Sequence, residues 1–435
     1  MEETRRPRVA LATLGCKVAQ YETEALREAF LSDGYDEVAD GADIVVVNTC
    51  TVTAEADRKC RQAIRRLARR HPGAKILALG CYAQSHPDRV ATLPGVAYVG
   101  GTANKMAAVS VAGSLLSGKT PQTIAVRPLE GEGYEPMCVS SAPRTRAYVK
   151  IVDGCDCRCS YCAIPEARGP VRSRPREEIL AEVSRLVRGG TREVVLTGIE
   201  TASYGRDLSD GYRLIDLLEE VDRLPVDRIR LGSLTPEVMK PGFITRLSGL
   251  SRLTPHFHLS VQSGSSRVLG GMRRRYNAEM AEAAIESLRA AIPGVALTCD
   301  MIVGFPGETD GDFEETLAFS RRARFLAMHV FAYSKRSGTH AATLGGQVAE
   351  EVKAARSAAL TALSARMTDE ILGEAVTAGA PLSVLVETVR GGIARGHTPA
   401  FLPVAFPAAG ARPGDVVTVL PTEVRGGTLY ANLIK

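Results

Sequence analysis

Apolar runs and amphipathic stretches alternate along the first part of the chain. "RVALATLG" reads as a strand, "QYETEALREAFLSDG" as a helix closed by Gly34, and "ADIVVVNTC" as a buried strand. A basic helix follows, then "AKILALGCY" and "VAYVGG" as two further strands. Strands spaced by helices of about 10–15 residues predict a parallel α/β sheet. From about 112 to 145 the chain is Gly-, Ser- and Pro-rich with weak periodicity, and a domain boundary is placed there.

From 147 the alternation returns and lasts longer. The strands are "AYVKIVDG", "REVVLTG", "RIRLGSL", "HFHLSVQ", "ALTCDMIVGF" and "LAMHVFAYS", with helices such as 177–189 and 277–291 between them. Six strand–helix units in a row predict a barrel or a large part of one. "QVAEEVKAARSAALTALSARMTDEILGEAV" is a long helix following Gly345–Gly346. After Gly379 the pattern becomes short β segments, with Gly426–Gly427 as a hairpin turn. A small β-barrel is expected there; such barrels serve both as oligonucleotide-binding modules and as plain structural caps. The expected organisation is α/β with three domains, 1–125, 145–375 and 376–435.

Apolar content of 45% and charged content of 24% exclude disorder and fibre for this 435-residue chain. The apolar run Val9–Leu14 is shorter than the roughly 7–15 residues of a signal-peptide core. No run approaches the roughly 18–20 residues of a membrane span. A cytoplasmic protein with no membrane partner, and with free or metal-bound thiols, is expected. The net charge of +5 hides one concentrated segment: residues 55–71 hold seven Lys/Arg against two acids. There Cys60, Ile64 and Leu67 form an inward stripe, while Arg58, Arg61, Arg65 and Arg69 lie on another face. A solvated face explains this, and so does an RNA-binding face. A solvated face is the commoner case, but charges of one sign without the usual i,i+4 partners make a phosphate-facing helix a fair hypothesis.

"KIVDGCDCRCSYCAIPEARG" places four cysteines between Cys155 and Cys162. Cys155, Cys159 and Cys162 are spaced C-x3-C-x2-C, and three such thiolates can hold three irons of a four-iron four-sulfur cluster. With no fourth protein ligand in view, one iron is left for an outside ligand. Structural zinc remains an alternative, although it wants four closed ligands and no second pair follows. Three more cysteines each end a predicted strand: Cys16 in "TLGCKVAQYETE", Cys50 in "VVVNTCTVT" and Cys81 in "LALGCYAQ". Adjacent strand ends of a parallel sheet converge on one edge, so these three form a second candidate site, with three separate core thiols as the plain alternative. Cys60, Cys138 and Cys299 are read as structural, and Cys157 as a bystander.

The C-x3-C-x2-C loop after a barrel strand, with Tyr161 before its last cysteine, resembles the radical S-adenosylmethionine superfamily. With the second triad, the whole chain resembles the methylthiotransferases. Further matching stretches are "YCAIPEARGPVRSR", "VVLTGIETASYGRDL", "HLSVQSGSSRVLGGMRRRY", "TCDMIVGFPGETDGDF", "HVFAYSKRSGT" and "GHTPAFLPVAF". The resemblance implies an N-terminal domain whose Cys16, Cys50 and Cys81 hold an auxiliary four-iron four-sulfur cluster. It implies a second such cluster on Cys155, Cys159 and Cys162 in a partial TIM-like barrel, and a C-terminal RNA-binding TRAM barrel. S-adenosylmethionine contacts are expected from Tyr161, Gly198, Glu200, Gln262, Ser263 and Gly304. One departure stands out: Ala19 occupies a place where the family motif usually has Asn, a residue able to orient the cluster loop.

By the same resemblance, the reaction inserts a methylthio group at an unactivated carbon. The substrate is threonylcarbamoyladenosine at position 37 of tRNA, isopentenyladenosine there, or an aspartate of a ribosomal protein. "LGCKVAQYETE" and "NTCTVTAEADRKCRQAIRR" look most like the threonylcarbamoyl branch. Its substrate bears a carboxylate, which a guanidinium binds bidentately, and Arg168, Arg172 and Arg174 follow the central triad. The implied partners are tRNA, an electron donor and a sulfur donor, and DNA is not expected. A non-catalytic iron–sulfur RNA-binding or redox-sensing protein is the competing reading.

Overall fold

The structure is a computed structural model and describes residues 5–141 and 145–434. Residues 1–4 and 435, at the ends of the expected first and third domains, lie outside the described residues, as do 142–144 of the expected boundary stretch.

The first domain is a parallel sheet of β1 (Arg8–Thr13), β2 (Asp36–Glu37), β3 (Ile44–Thr49), β4 (Lys75–Gly80), β5 (Val96–Gly100) and β6 (Ile124–Ala125), in the order β2-β1-β3-β4-β5-β6. β3, with sequence IVVVNT, is buried at every position. Such a continuous apolar run suits an inner parallel strand covered by helices on both faces. On one face Leu26 and Phe30 of helix Lys17–Ser32 pack with Ala108 and Ala112 of helix Ala107–Leu116. On the other, Cys60 and Ile64 of the basic helix Ala54–Arg70 pack on Val45 and Val47. The expected inward stripe of that helix is therefore present.

The central domain contains β7 (Arg146–Asp153), β8 (Arg172–Ser173), β9 (Glu193–Gly198), β10 (Arg228–Leu231), β11 (His256–Gln262), β12 (Ala296–Val303) and β13 (Ala327–Ala332). β10-β9-β7-β8 form one sheet and β11-β12-β13 another. Parallel bridges Ile229–Leu253 and Leu234–Leu259 join the two into an open arc. All six expected strands are found, and they make a partial barrel rather than a closed one. Tyr21 and Ala25 of helix Lys17–Ser32 share a core with Val149, Ile151 and Val183, so the first domain packs against the strand that begins the arc.

The C-terminal strands β14 (Leu382–Arg390), β15 (Ile393–His397), β16 (Pro403–Pro407), β17 (Val416–Arg425) and β18 (Thr428–Leu433) close into a barrel. Gly426 and Gly427, with φ of 53° and 70°, make the tight β17–β18 turn. Helix Glu350–Ala378 serves two cores: Leu360, Leu363 and Met367 face the central one and Leu372 the C-terminal one. It ends at Gly379 in the left-handed conformation, φ 59°.

A second attachment is aromatic. Phe401, from the β15–β16 connection, stacks on His397 at 4.3 Å and on His256 at 4.7 Å, with Arg146 and Arg230 over its ring. Arg146 and His256 open β7 and β11, so this contact sits at the N-terminal end of the barrel strands.

Candidate active site

The first triad is assembled by strand register. β1 and β3 pair Thr13 with Asn48, and β3 and β4 pair Thr49 with Gly80. The next residues, Cys50 and Cys81, therefore leave the sheet side by side, and Cys16 follows Thr13 at the same edge. Gly80 has φ 95°, and a Cβ there would lie 2.4 Å from Asn48 Oδ1 and 2.7 Å from the Thr49 carbonyl oxygen. A side chain is excluded twice over, by conformation and by space. A Cβ on Gly15 would lie 3.1 Å from Cys50 Cβ. Cys16 caps helix Lys17–Ser32 and is exposed, Cys50 is half-buried, and Cys81 is buried.

Burial pushes the Cys50 thiol up to about 12, with Cys81 and Cys16 adding to the effect. Cys60 props this loop: the Cys50 N–H donates to its sulfur, and its thiol donates to the Cys50 carbonyl oxygen, both at 3.3 Å. Ala19 is buried beneath the Gly15–Cys16 turn, and its carbonyl oxygen accepts from Asn48 Nδ2 at 3.1 Å. Position 19 thus retains a backbone tie to β3 but offers no side-chain donor.

The second triad lies in the loop leaving β7. Each of its sulfurs accepts one N–H hydrogen bond. Cys155 accepts from the Cys157 backbone at 3.4 Å, Cys159 from Arg274 at 3.1 Å, and Cys162 from the Ile164 backbone at 3.4 Å. Donors aimed at sulfur suit thiolate ligands. Cys157 contributes its backbone N–H to this arrangement, and its side chain also hydrogen-bonds with that of Cys155. Neither triad brings its three sulfurs within 4.8 Å of one another. A single tetrahedral zinc, with Zn–S of about 2.3 Å, needs sulfurs roughly 3.8 Å apart. Neither triad is therefore closed around a single ion.

The residues expected around S-adenosylmethionine gather at the C-terminal ends of β9, β11 and β12, the same end as the Cys155 loop. Gly198 ends β9, where a Cβ would meet Val152 Cγ1 at 2.3 Å. Glu200 follows; burial pushes its carboxyl up to about 7, and its buried Oε1 has no hydrogen-bond partner among the described residues. Gln262 ends β11 at φ 71°, and Gly304 follows β12 at φ 72°. Ser263 is fully buried, and its hydroxyl is held by the Ser265 N–H of its own turn at 3.1 Å and by Thr316 Oγ1 of helix Asp310–Ala323 at 3.3 Å. Tyr161 packs against Met272, Phe305 and Tyr333.

The arginines following the central triad are not free to meet a substrate carboxylate. Arg168, Arg172 and Arg174 are buried. Arg168 binds Glu22 and Asp153, Arg172 lies 3.9 Å from Asp153, and Arg174 pairs with Glu182. Their nearness in sequence to the cysteine loop suggested substrate contact, but ion pairing at the domain junction takes them up.

Sequence reasoning also missed a group lining the inside of the arc. His258 Nε2 and His329 Nδ1 each lie 3.3 Å from an oxygen of Asp300. Lys17, adjacent to Cys16, shares this space; burial, then Arg230 and Arg146, lower its ammonium while Asp300 opposes them. Nothing in the spacing of these residues signals the cluster, because each comes from a different element.

The basic helix departs in part from expectation. Arg58 pairs with Glu55 at 2.5 Å and Arg70 with Asp40 at 2.5 Å, while Arg61 donates to the Tyr82 hydroxyl at 3.0 Å. Arg65 and Arg69 are exposed and form no ion pair among the described residues. The absence of pairing predicted for the whole face thus holds at these two positions and fails at Arg58.

Comparison with known proteins adds to the geometry. Residues 149–320 match the Radical SAM superfamily, and residues 8–101 match the uncharacterized protein family UPF0004. The threonylcarbamoyladenosine tRNA methylthiotransferase MtaB of Bacillus subtilis is 39% identical over 94% of this chain and 93% of its own length. The chain belongs to the methylthiotransferase family. The tRNA-2-methylthio-N(6)-dimethylallyladenosine synthase of Desulfitobacterium hafniense is 33% identical over 99% of this methylthiotransferase and 98% of its own length. The fold also matches the radical S-adenosylmethionine methyltransferase TsrM of Kitasatospora setae, with a TM-score of 0.57 at 14% identity over 90% of this chain and 77% of that one. This methylthiotransferase is thus a transferase enzyme of the radical S-adenosylmethionine class, whose chemistry rests on a four-iron four-sulfur cluster and S-adenosylmethionine. The non-catalytic reading is set aside. Among the described residues no helix is long and apolar enough to cross a membrane.

Proposed function

We propose that this methylthiotransferase converts N6-threonylcarbamoyladenosine at position 37 of tRNA to its 2-methylthio derivative in the cytoplasm. The observation that carries this reading is the domain junction at which Arg168, from the segment after the central triad, donates to Cys81 of the first triad and to Asp153, two residues before Cys155. Identity of 39% to the Bacillus threonylcarbamoyladenosine enzyme, against 33% to the Desulfitobacterium dimethylallyl synthase, supports this branch.

In this reading, domains 1–125, 145–375 and 376–435 carry the auxiliary cluster, the radical site and the RNA grip. Cys16, Cys50 and Cys81 hold one cluster, and Cys155, Cys159 and Cys162 hold the other. When bound, the central cluster and S-adenosylmethionine supply hydrogen-abstracting chemistry, and the auxiliary cluster supplies the methylthio group. The protein's share is positioning and exclusion of side reactions. Arg274 steadies the Cys159 sulfur, and the open Glu200 oxygen would accept a donor from bound S-adenosylmethionine. Gly198, Gln262 and Gly304 shape the same strand ends, Ser263 fixes the turn after β11, and Tyr161 flanks the cluster loop. Lys17, in place of the buried Arg168, Arg172 and Arg174, offers the arc a hydrogen-bond donor for the substrate's carboxylate. Arg65 and Arg69 lead the basic helix toward tRNA phosphates, with Arg58 and Arg61 in support. An electron donor and a sulfur donor complete the partners.

Mass spectrometry of tRNA nucleosides after anaerobic incubation with the reconstituted protein tests the reading. Threonylcarbamoyladenosine tRNA is expected to exchange one hydrogen for a methylthio group, while isopentenyladenosine tRNA stays unchanged. Product only on the second RNA moves the substrate; 5′-deoxyadenosine without product on either overturns the assignment of a tRNA substrate or of the auxiliary triad.

A further inference from the structure

One sulfur of the first triad is held by a residue from the other domain. Arg168 belongs to the central cysteine loop segment, yet its Nε donates to Cys81 Sγ at 3.0 Å. Its remaining donors are also engaged. Nη1 reaches Glu22 Oε1 at 2.5 Å and the two Asp153 oxygens at 3.3 and 3.2 Å, and Nη2 reaches Glu22 Oε2 at 3.2 Å. Glu22 lies on helix Lys17–Ser32 of the first domain, and Asp153 ends β7 of the second. Asp153 in turn accepts the Gly154 N–H at 2.8 Å, next to Cys155. The guanidinium is 1% exposed and has a single place to be.

The guanidinium sits within a buried group of charged side chains. Lys105, Lys150, Arg168 and Arg172 face the carboxylates Glu22 and Asp153, all of them with side chains no more than 7% exposed.

Resting on the reading that Cys16, Cys50 and Cys81 hold a cluster, we propose that Arg168 is a positioning residue of that auxiliary site. It donates a hydrogen bond to the ligating Cys81 sulfur and raises the cluster's reduction potential. A donor and a positive charge at a ligand sulfur stabilise the more negative, reduced cluster, which fixes the direction of the shift. Glu22 and Asp153 hold the donor in place from both domains, so the auxiliary site is complete only when the two are docked.

The test uses the full chain with Cys155, Cys159 and Cys162 changed to Ala, so that only the auxiliary cluster contributes. After anaerobic reconstitution and an iron count, the potential is read by titration monitored by electron paramagnetic resonance. Arg168→Gln is expected to shift it to more negative values, and Arg168→Lys to shift it less. In the parent chain grown with isotopically labelled arginine, pulsed resonance is expected to show an arginine nitrogen coupled to the reduced cluster. That measurement decides the matter if the variants do not fold. Unchanged potentials, or no nitrogen coupling, overturn the proposal. A parent chain without bound iron, or one whose iron survives Cys50→Ala, instead overturns the auxiliary-cluster reading on which it rests.

Discussion

The two cysteine triads are assembled by opposite structural routes. The central triad occupies one loop, and its sulfurs take their donors from that loop and from Arg274. The first triad draws on three strand ends, so its geometry exists only when β1, β3 and β4 are in register. A one-residue slip of a strand would turn its side chains to the other face. It also borrows Arg168 from the neighbouring domain. A loop site reports on local backbone, whereas a sheet-edge site reports on the folding and docking of whole domains.

Substitutions can break this comparison, beginning with the largest effect. Cys155→Ala is expected to take 5′-deoxyadenosine formation and methylthio product both to background, a loss above the roughly 100-fold upper range for residues outside the ligand set. Chromatography of the nucleoside products checks this. Cys50→Ala is expected to remove the methylthio product alone, leaving 5′-deoxyadenosine formation within about twofold of the parent. Loss of both would show that the sites do not work separately.

Backbone changes sharpen the contrast. Gly80→Ala forces a Cβ to 2.4 Å from Asn48 Oδ1 at φ 95°. It is expected to destabilise the fold by about 2–4 kcal/mol and to lower iron content at the first triad while sparing the second. Gly34→Ala, at φ 88° with nothing within 4 Å, serves as the control. Its expected cost is about 1 kcal/mol with no loss of iron. Denaturant unfolding and iron assay of both variants measure the difference.

The smallest effect lies outside the triads. Charge reversal at Arg65 and Arg69 together is expected to weaken tRNA binding by about tenfold at low salt and to flatten its logarithmic salt dependence by roughly 2–4. Arg58→Ala removes a charge already paired with Glu55 and should do less. Binding isotherms at several salt concentrations decide between them.

Much of this architecture was legible because it is written in short-range patterns. The six strands of the arc, the basic helix and the Gly426–Gly427 turn follow from periodicity and turn chemistry. The central triad is legible from spacing alone. The first triad is legible only because Cys16, Cys50 and Cys81 each end a run that reads as a strand. What stayed hidden depends on elements far apart in sequence. Glu22, Lys105 and Arg168 look like ordinary surface charges in their own stretches, and only domain docking buries them. Lys150 and Asp153 carried a faint signal, as charged residues inside the apolar strand "KIVD". Lys17, His258, Asp300 and His329 carried none, because the curvature of the arc brings them together.

The Phe401 stack gives the C-terminal barrel a second job. By packing on His256, Arg146 and Arg230, it forms the floor beneath the strands whose opposite ends carry the chemistry. Removing residues 380–434 would therefore do more than loosen a grip on RNA: it would open the central vessel from below and let water in beneath the reacting groups.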